Sequence, residues 1–294
     1  MADSAGAGRP LIAARMDHGH GTGPGTGAPV GSGGTDALGW AAVDGVLVLF
    51  LVVAAAGYAV ALRASRVRSR WPVRRTVCWY AGLGCVAAAL LGPVGQAARG
   101  GFTAHMTGHL LLGMIAPLLL VLAAPVTLVL RALPVRAARS LTRLLRRRAV
   151  RVITHPVVTA VLSAGGLWVL YTTALYPLMH GSPLVHALVH AHVLLAGYLF
   201  TAALVGPDPD PHRTSMAMRS VVLVAFIASH SVLAKWLFAH PPAGVGQADG
   251  QAGAQLMYYG GDAVDVLLIV LLFSRWYATT RPRARVPAGM RTGP

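Results

Sequence analysis

The sequence predicts an all-α fold: a polytopic membrane helix bundle of about seven transmembrane helices, with the N-terminus outside and the C-terminus cytoplasmic. Three observations predict it. Of 294 residues, 55% are apolar and only 12% are charged, which is too apolar for a soluble domain. The apolar residues fall in runs of about 20, the length that crosses a bilayer core of about 30 Å. The formal net charge of +16 is concentrated in alternate loops rather than spread over a surface. That alternation marks the cytoplasmic side of a membrane and argues against nucleic acid as the partner.

Residues 1–38 are rich in Gly, Ala, Pro, Ser and Thr and read as a disordered extracytoplasmic tail. No apolar core follows a basic start, so a cleavable signal peptide is not expected. Met16, His18 and His20 in this tail form either a polar linker or a flexible trap for a soft metal ion. The membrane domain spans residues 39–278. Its runs are Trp40–Leu62, Val77–Gln96, Ala104–Leu130, Val157–Tyr176, Leu184–Val205, Met216–Phe238 and Met257–Tyr277. Pro117 and Pro125 should bend the third run. Residues 279–294 form a basic cytoplasmic tail.

Orientation follows from arginine. Arg63 to Arg75 separate runs one and two, Arg131 to Arg151 separate three and four, and Arg213 and Arg219 separate five and six. Arg275 to Arg285 end the seventh, while the intervening loops carry only Arg99. The segment from Arg136 to Arg151 reads as an interfacial helix on anionic lipid. Cys78 and Cys85 share one apolar run without a CxxC spacing, so they read as small helix residues.

This topology sorts the histidines. His155 and His212 fall on the cytoplasmic side and read as loop residues. His105 and His109 begin the third run, and His186 and His190 begin the fifth. Each pair has i, i+4 spacing, which puts both imidazoles on one helix face. His230 lies in the outer half of the sixth run, and His180 in an outer turn. At 1.5 Å per residue, His109, His190 and His230 fall in one layer about 8–12 Å below the outer surface. Imidazoles from several helices at one depth suggest a metal site, since polar groups inside a membrane are expensive and functional by default. Met114 can add a thioether for Cu(I), although membrane methionines are more often packing. Asp262, Asp265 and Lys235 lie in the same layer and read either as a helix-linking ion pair or as groups that orient the ligand histidines. Asp44 can do the same.

Several motifs resemble the CtaG family of cytochrome c oxidase assembly proteins, membrane proteins implicated in copper delivery. They are His105-Met106-Thr107-Gly108-His109, Ala116-Pro117, Ala124-Pro125-Val126-Thr127, Leu175-Tyr176, the His186/His190/His192 run into Gly197-Tyr198-Leu199-Phe200, Gly206-Pro207-Asp208-Pro209, Ser229-His230 and Gly260-Gly261-Asp262. The resemblance covers about Trp40 to Tyr277. It implies a plasma-membrane assembly factor without turnover chemistry and an oxidase subunit as partner. It also implies copper, as Cu(I), held by His105, His109, His186, His190 and His230. The chain departs from that pattern in having no glutamate, so acidic roles fall to Asp262, Asp265 or Asp44. Two other functions fit a histidine-bearing bundle. A transporter of metal ions or small solutes needs a polar path to the cytoplasm, which the apolar lower halves of the runs disfavour. A haem-binding oxidoreductase subunit needs facing histidines at two depths. Homo-oligomerisation is left open.

Overall fold

A computed structural model describes residues 32–65 and 70–280. The Met16/His18/His20 cluster and most of the basic C-terminal tail lie outside them. Among the described residues there is no strand. The helices are α1 (Ser32–Ser65), α2 (Val73–Leu90), α3 (Pro93–Ala97), α4 (Phe102–Leu110), α5 (Ala116–Leu122), α6 (Pro125–Ala132), α7 (Val135–Leu145), α8 (Arg148–Ile153), α9 (Pro156–Ala160), α10 (Gly166–Thr172), α11 (Leu175–Gly181), α12 (Pro183–Val205), α13 (Met216–Ala239) and α14 (Gln247–Thr280). Wider π-type turns join α4 to α5 (Leu111–Ile115) and α9 to α10 (Val161–Gly165).

Among the described residues six helical segments are long and apolar enough to cross a membrane, and a bent pair, counted as one span, makes a seventh. That pair is Pro156–Thr172 with Leu175–Gly181, which meet at 79°. The sequence reads this stretch as one run ending at Tyr176. Pro177 explains the difference. Its ring would collide with the carbonyl of Thr173 in a continuous helix. Thr173 instead turns extended, and its hydroxyl accepts the Leu175 N–H to start α11. The bend carries Tyr176 and His180 back over the end of the bundle.

The third span, residues 102–132, is the centre. Of its most apolar window 56% is buried, against 6% for α1. It packs against α2, α12 and α14, and α1 touches its far end. Its own backbone is broken twice, as its two prolines require. Before Pro117 the ladder widens, and the Ala116 N–H reaches Leu111 O. Pro117 lacks the N–H that would otherwise bind Gly113 O, and α12 comes close to that freed carbonyl at Gly197, where a β-carbon would collide with it. Before Pro125 the chain turns through Ala124, a buried residue in the left-handed region at φ 52°.

The start of the span at Phe102 and the break before Pro125 each leave a helix N-terminus, and a distant carboxylate caps each of them. Asp208, in the loop after α12, accepts from Val126 N (3.2 Å), Thr127 N (2.7 Å) and the Thr127 hydroxyl (2.6 Å). Asp249, in the first turn of α14, accepts from Phe102 N (2.6 Å), Thr103 N (3.0 Å) and the Thr103 hydroxyl (2.6 Å). A carboxylate on orphan N–H groups satisfies donors and complements the helix dipole together.

The interior holds two main apolar clusters. Phe102, Met106, Tyr171, Met179, Leu233 and Met257 fill the histidine-bearing end. Leu118, Phe200, Leu204, Leu223, Phe226 and Leu272 fill the arginine-bearing end. The helix α7 has no buried residue and carries Arg136, Arg139 and Arg143, in keeping with an interfacial position.

Two substitutions test this architecture. Gly197→Ala should destabilise the protein by about 1–3 kcal/mol through overpacking. Gly84→Ala, where a β-carbon meets nothing within 4 Å, should be neutral. Thermal unfolding in detergent distinguishes them. Asp249→Ala should cost about 1–2 kcal/mol and speed amide exchange at residues 102 and 103 while sparing 126 and 127. Equal protection at both ends would refute separate caps.

Candidate functional site: a two-tier histidine interior

Helix α4 carries His105 and His109 on its buried face, and both are under one-tenth exposed. Asp249 sets the start of that helix and therefore the depth of both rings. His105 faces an outer tier. Its Nε2 lies 3.0 Å from the Tyr171 hydroxyl, which is 3.8 Å from the Met106 sulfur. Its ring centre is 5.2 Å from Tyr176, 6.0 Å from His180 and 6.4 Å from His190. His186 and His190 stand 4.1 Å apart, as their spacing on α12 predicts. An apolar crevice of about 510 Å³, lined in part by Phe50, Leu90, Leu112 and Leu194, opens beside these two.

Backbone contacts set the tautomers here. His180 Nδ1 is 2.9 Å from Tyr176 O, and His190 Nδ1 is 2.8 Å from His186 O. A carbonyl only accepts, so each Nδ1 carries a proton, and in the neutral ring the lone pair is then on Nε2. His192 behaves differently. Its Nε2 donates to Leu162 O at 3.0 Å, and its ring sits against Gly166 at the second π-type turn. It links α12 to α10 and is no part of either tier.

The deep tier joins His109 to His230. Their ring centres are 6.2 Å apart and their planes differ by 24°. His230 comes from α13 and is 2% exposed. It is seated against α14 at Gly261, where a β-carbon would come within 2.5 Å of the His230 ring. Neither nitrogen of His230 has a hydrogen-bond partner, and neither does His109 Nε2. A cavity of about 10 Å³ lies between them, lined also by Met114, Ser163 and Phe226. That is near the least volume that holds one water. Asp265, one turn from Gly261 along α14, is 2% exposed and has both oxygens unpartnered. Unpaired buried polar atoms cost about 1–3 kcal/mol each, more if charged, so this cluster is maintained at the expense of stability.

The five predicted histidines thus do not meet at one point. Among the described residues, no three His, Cys, Asp or Glu side chains are placed to hold one metal ion. His105, His186 and His190 belong to the outer tier, and His109 and His230 to the deep one. Lys235 does not pair with Asp262 or Asp265. Its ammonium lies 5.3 Å from the centre of the Tyr258 ring. Asp44 pairs with Arg99 at 3.6 Å. Sequence reasoning passed over Tyr171 and Asp249, and named Tyr176 only within the Leu175-Tyr176 motif. An acid three residues into a helix start was the one available sign of Asp249. The place of both tyrosines beside His105 depends on the bend at Thr173.

Fold and site together define a multi-pass helical membrane protein with a histidine-lined, otherwise dry interior. The chain belongs to the cytochrome c oxidase caa3 assembly factor family (Caa3_CtaG), whose sequence profile matches residues 56–279. The family's role is assembly of the oxidase. Among curated proteins, uncharacterised proteins of Mycobacterium bovis and Mycobacterium tuberculosis are each 37% identical over 190 residues, which is 61% of this chain and 28% of theirs. An uncharacterised protein of Mycobacterium leprae is 29% identical over 198 residues, 64% of this chain and 30% of its own length. The chain therefore spans less than a third of the length of these relatives. No solved structure matches it.

Proposed function

We propose that this protein assists maturation of a haem–copper oxidase in the plasma membrane by holding one Cu(I) ion as cargo in its deep tier. In this reading the histidine-bearing end faces outward, the arginine-bearing end faces the cytoplasm, and an oxidase subunit is the recipient. The protein carries out no turnover chemistry. The observation that carries the proposal is the facing pair His109 and His230, buried with unpartnered nitrogens beside Met114.

The donor set suits the ion. Imidazole and thioether are ligands that Cu(I) accepts, and neither adds charge. Two metal–nitrogen bonds are about 2 Å each, and the ring centres, 6.2 Å apart with near-parallel planes, leave room for one ion once a nitrogen of each ring is turned toward it. A two-imidazole site also needs no third His, Cys or Asp. Asp265, one turn beyond Gly261 on α14, is buried without a partner, and its ionisation on uptake of a monovalent cation would balance the charge in a low-dielectric interior. His186 and His190, with the lone pair of His190 Nε2 left open, receive the ion from outside. His105 stands with them in the outer tier, held by Tyr171. Asp262, Lys235 and Tyr258 frame the outer end of α13 and α14.

Anaerobic titration of the purified protein against a Cu(I) chelator tests this. Wild type should hold one ion per chain. His109→Ala and His230→Ala should each weaken binding at least about tenfold and lower oxidase activity in cells. His240→Ala, outside both tiers, should leave both unchanged. A wild-type protein that takes up no copper, or variants that bind as well as wild type, would reject the cargo assignment.

A further inference from the structure

The opposite end of the bundle carries a feature that oxidase assembly does not use. Three consecutive carbonyls at the C-terminus of α12 are each taken by an arginine from a different place in the chain. Leu204 O accepts from Arg219 at 2.9 Å, Gly206 O from Arg213 at 2.9 Å, and Val205 O from Arg275. Capping a helix C-terminus with cations is favourable, but the dipole there amounts to only about half a negative charge. Three guanidiniums exceed it. Arg74 and Arg75 lie within electrostatic range of Arg275 as well.

Carboxylates make up only part of the difference, Asp210 acting on Arg219 from a distance. Among the described residues none forms an ion pair with Arg213, Arg219 or Arg275. Asp208 is committed to the N-terminus of α6, and Asp210 accepts the His212 N–H. Donors also remain unspent in the same short segment. Arg219 Nε, the Thr214 hydroxyl and His212 Nε2 are buried without partners. A concentration of fixed positive charge with free donors, at a helix-bundle end, is the chemistry that binds phosphate.

What flanks the cluster decides the source of that phosphate. Met218 and Val221 on α13, and Phe273, Trp276 and Tyr277 on α14, are 40–66% exposed beside Arg219 and Arg275. An aqueous anion has no use for that apolar surface, whereas acyl chains do. Trp276 and Tyr277 are also the residue types that settle at the headgroup level. We propose that the arginine knot on the end of α12 is a binding site for the phosphate headgroup of an anionic phospholipid, with its acyl chains along α13 and α14.

Native mass spectrometry and thermal unfolding of the full chain in detergent test the proposal. The probes are phosphatidylglycerol, phosphatidylcholine and inorganic phosphate. Wild type should retain phosphatidylglycerol, and be stabilised by it, at concentrations where phosphatidylcholine has no effect. Arg213→Gln with Arg275→Gln should weaken that retention roughly tenfold or more, given about 1 kcal/mol per basic residue. Single Arg213→Gln, in an exposed loop, should fold normally and show a smaller loss. Equal retention of the two lipids by wild type would overturn the site even if the double variant fails to fold. Equal protection by inorganic phosphate would overturn the lipid assignment, and unchanged lipid selectivity in the single variant would remove Arg213 from the site.

Discussion

The bundle depends on one constraint: the third span is surrounded by protein, and its backbone is interrupted by two prolines. A helix interrupted inside a membrane leaves N–H groups with no water to satisfy them. The chain meets this at the Pro125 break with Asp208 on Val126 and Thr127, and a second carboxylate from far along the sequence, Asp249, caps the start of the span at Phe102 and Thr103. Both use the same arrangement, two successive backbone donors and a threonine hydroxyl. These bonds tie the central span to α14 at one end and to the loop after α12 at the other. They set its depth, and with it the depth of every polar side chain it carries.

That depth gives the histidines their differing characters. His105, one turn from the capped end, finds Tyr171 and neighbouring imidazoles. His109, one turn further in, finds only His230 and a small cavity. The same step of four residues that aligns two rings on one helix face therefore takes them from a hydrogen-bonded network to an unsatisfied one. Unsatisfied groups are a cost that packing alone would remove by substitution. Three such groups, on His109, His230 and Asp265, are buried without partners, and the proposed cargo site is the reading that gives the two histidines a use.

The two ends of the molecule use opposite chemistry. At one end imidazoles and aromatic rings gather. At the other, arginines cluster on α12, on α7 and around Trp71, which lies under both Arg75 and Arg131. The helix α12 spans the two. It presents His186 and His190 at its start and offers its last carbonyls to three arginines at its end, with Gly197 between them closing onto the freed Gly113 carbonyl. Anything that shifts α12 along its axis is felt at both ends.

Much of this was legible in the sequence. Apolar length marked six spans directly, because the cost of burying polar backbone in lipid leaves few alternatives to a helix about 20 residues long. Helical periodicity was enough to put His105 with His109, and His186 with His190. The motifs around these pairs identified the family. Tertiary structure decided the rest. It divided the histidines into two tiers, because which rings face one another depends on how α4, α12 and α13 rotate and cross, and spacing along one helix says nothing of that. It broke the fourth span at Thr173, where local proline chemistry outweighed apolar length. It also assigned Asp249 and Asp208 to helix ends more than 80 residues away in the chain, pairings that only the folded backbone creates.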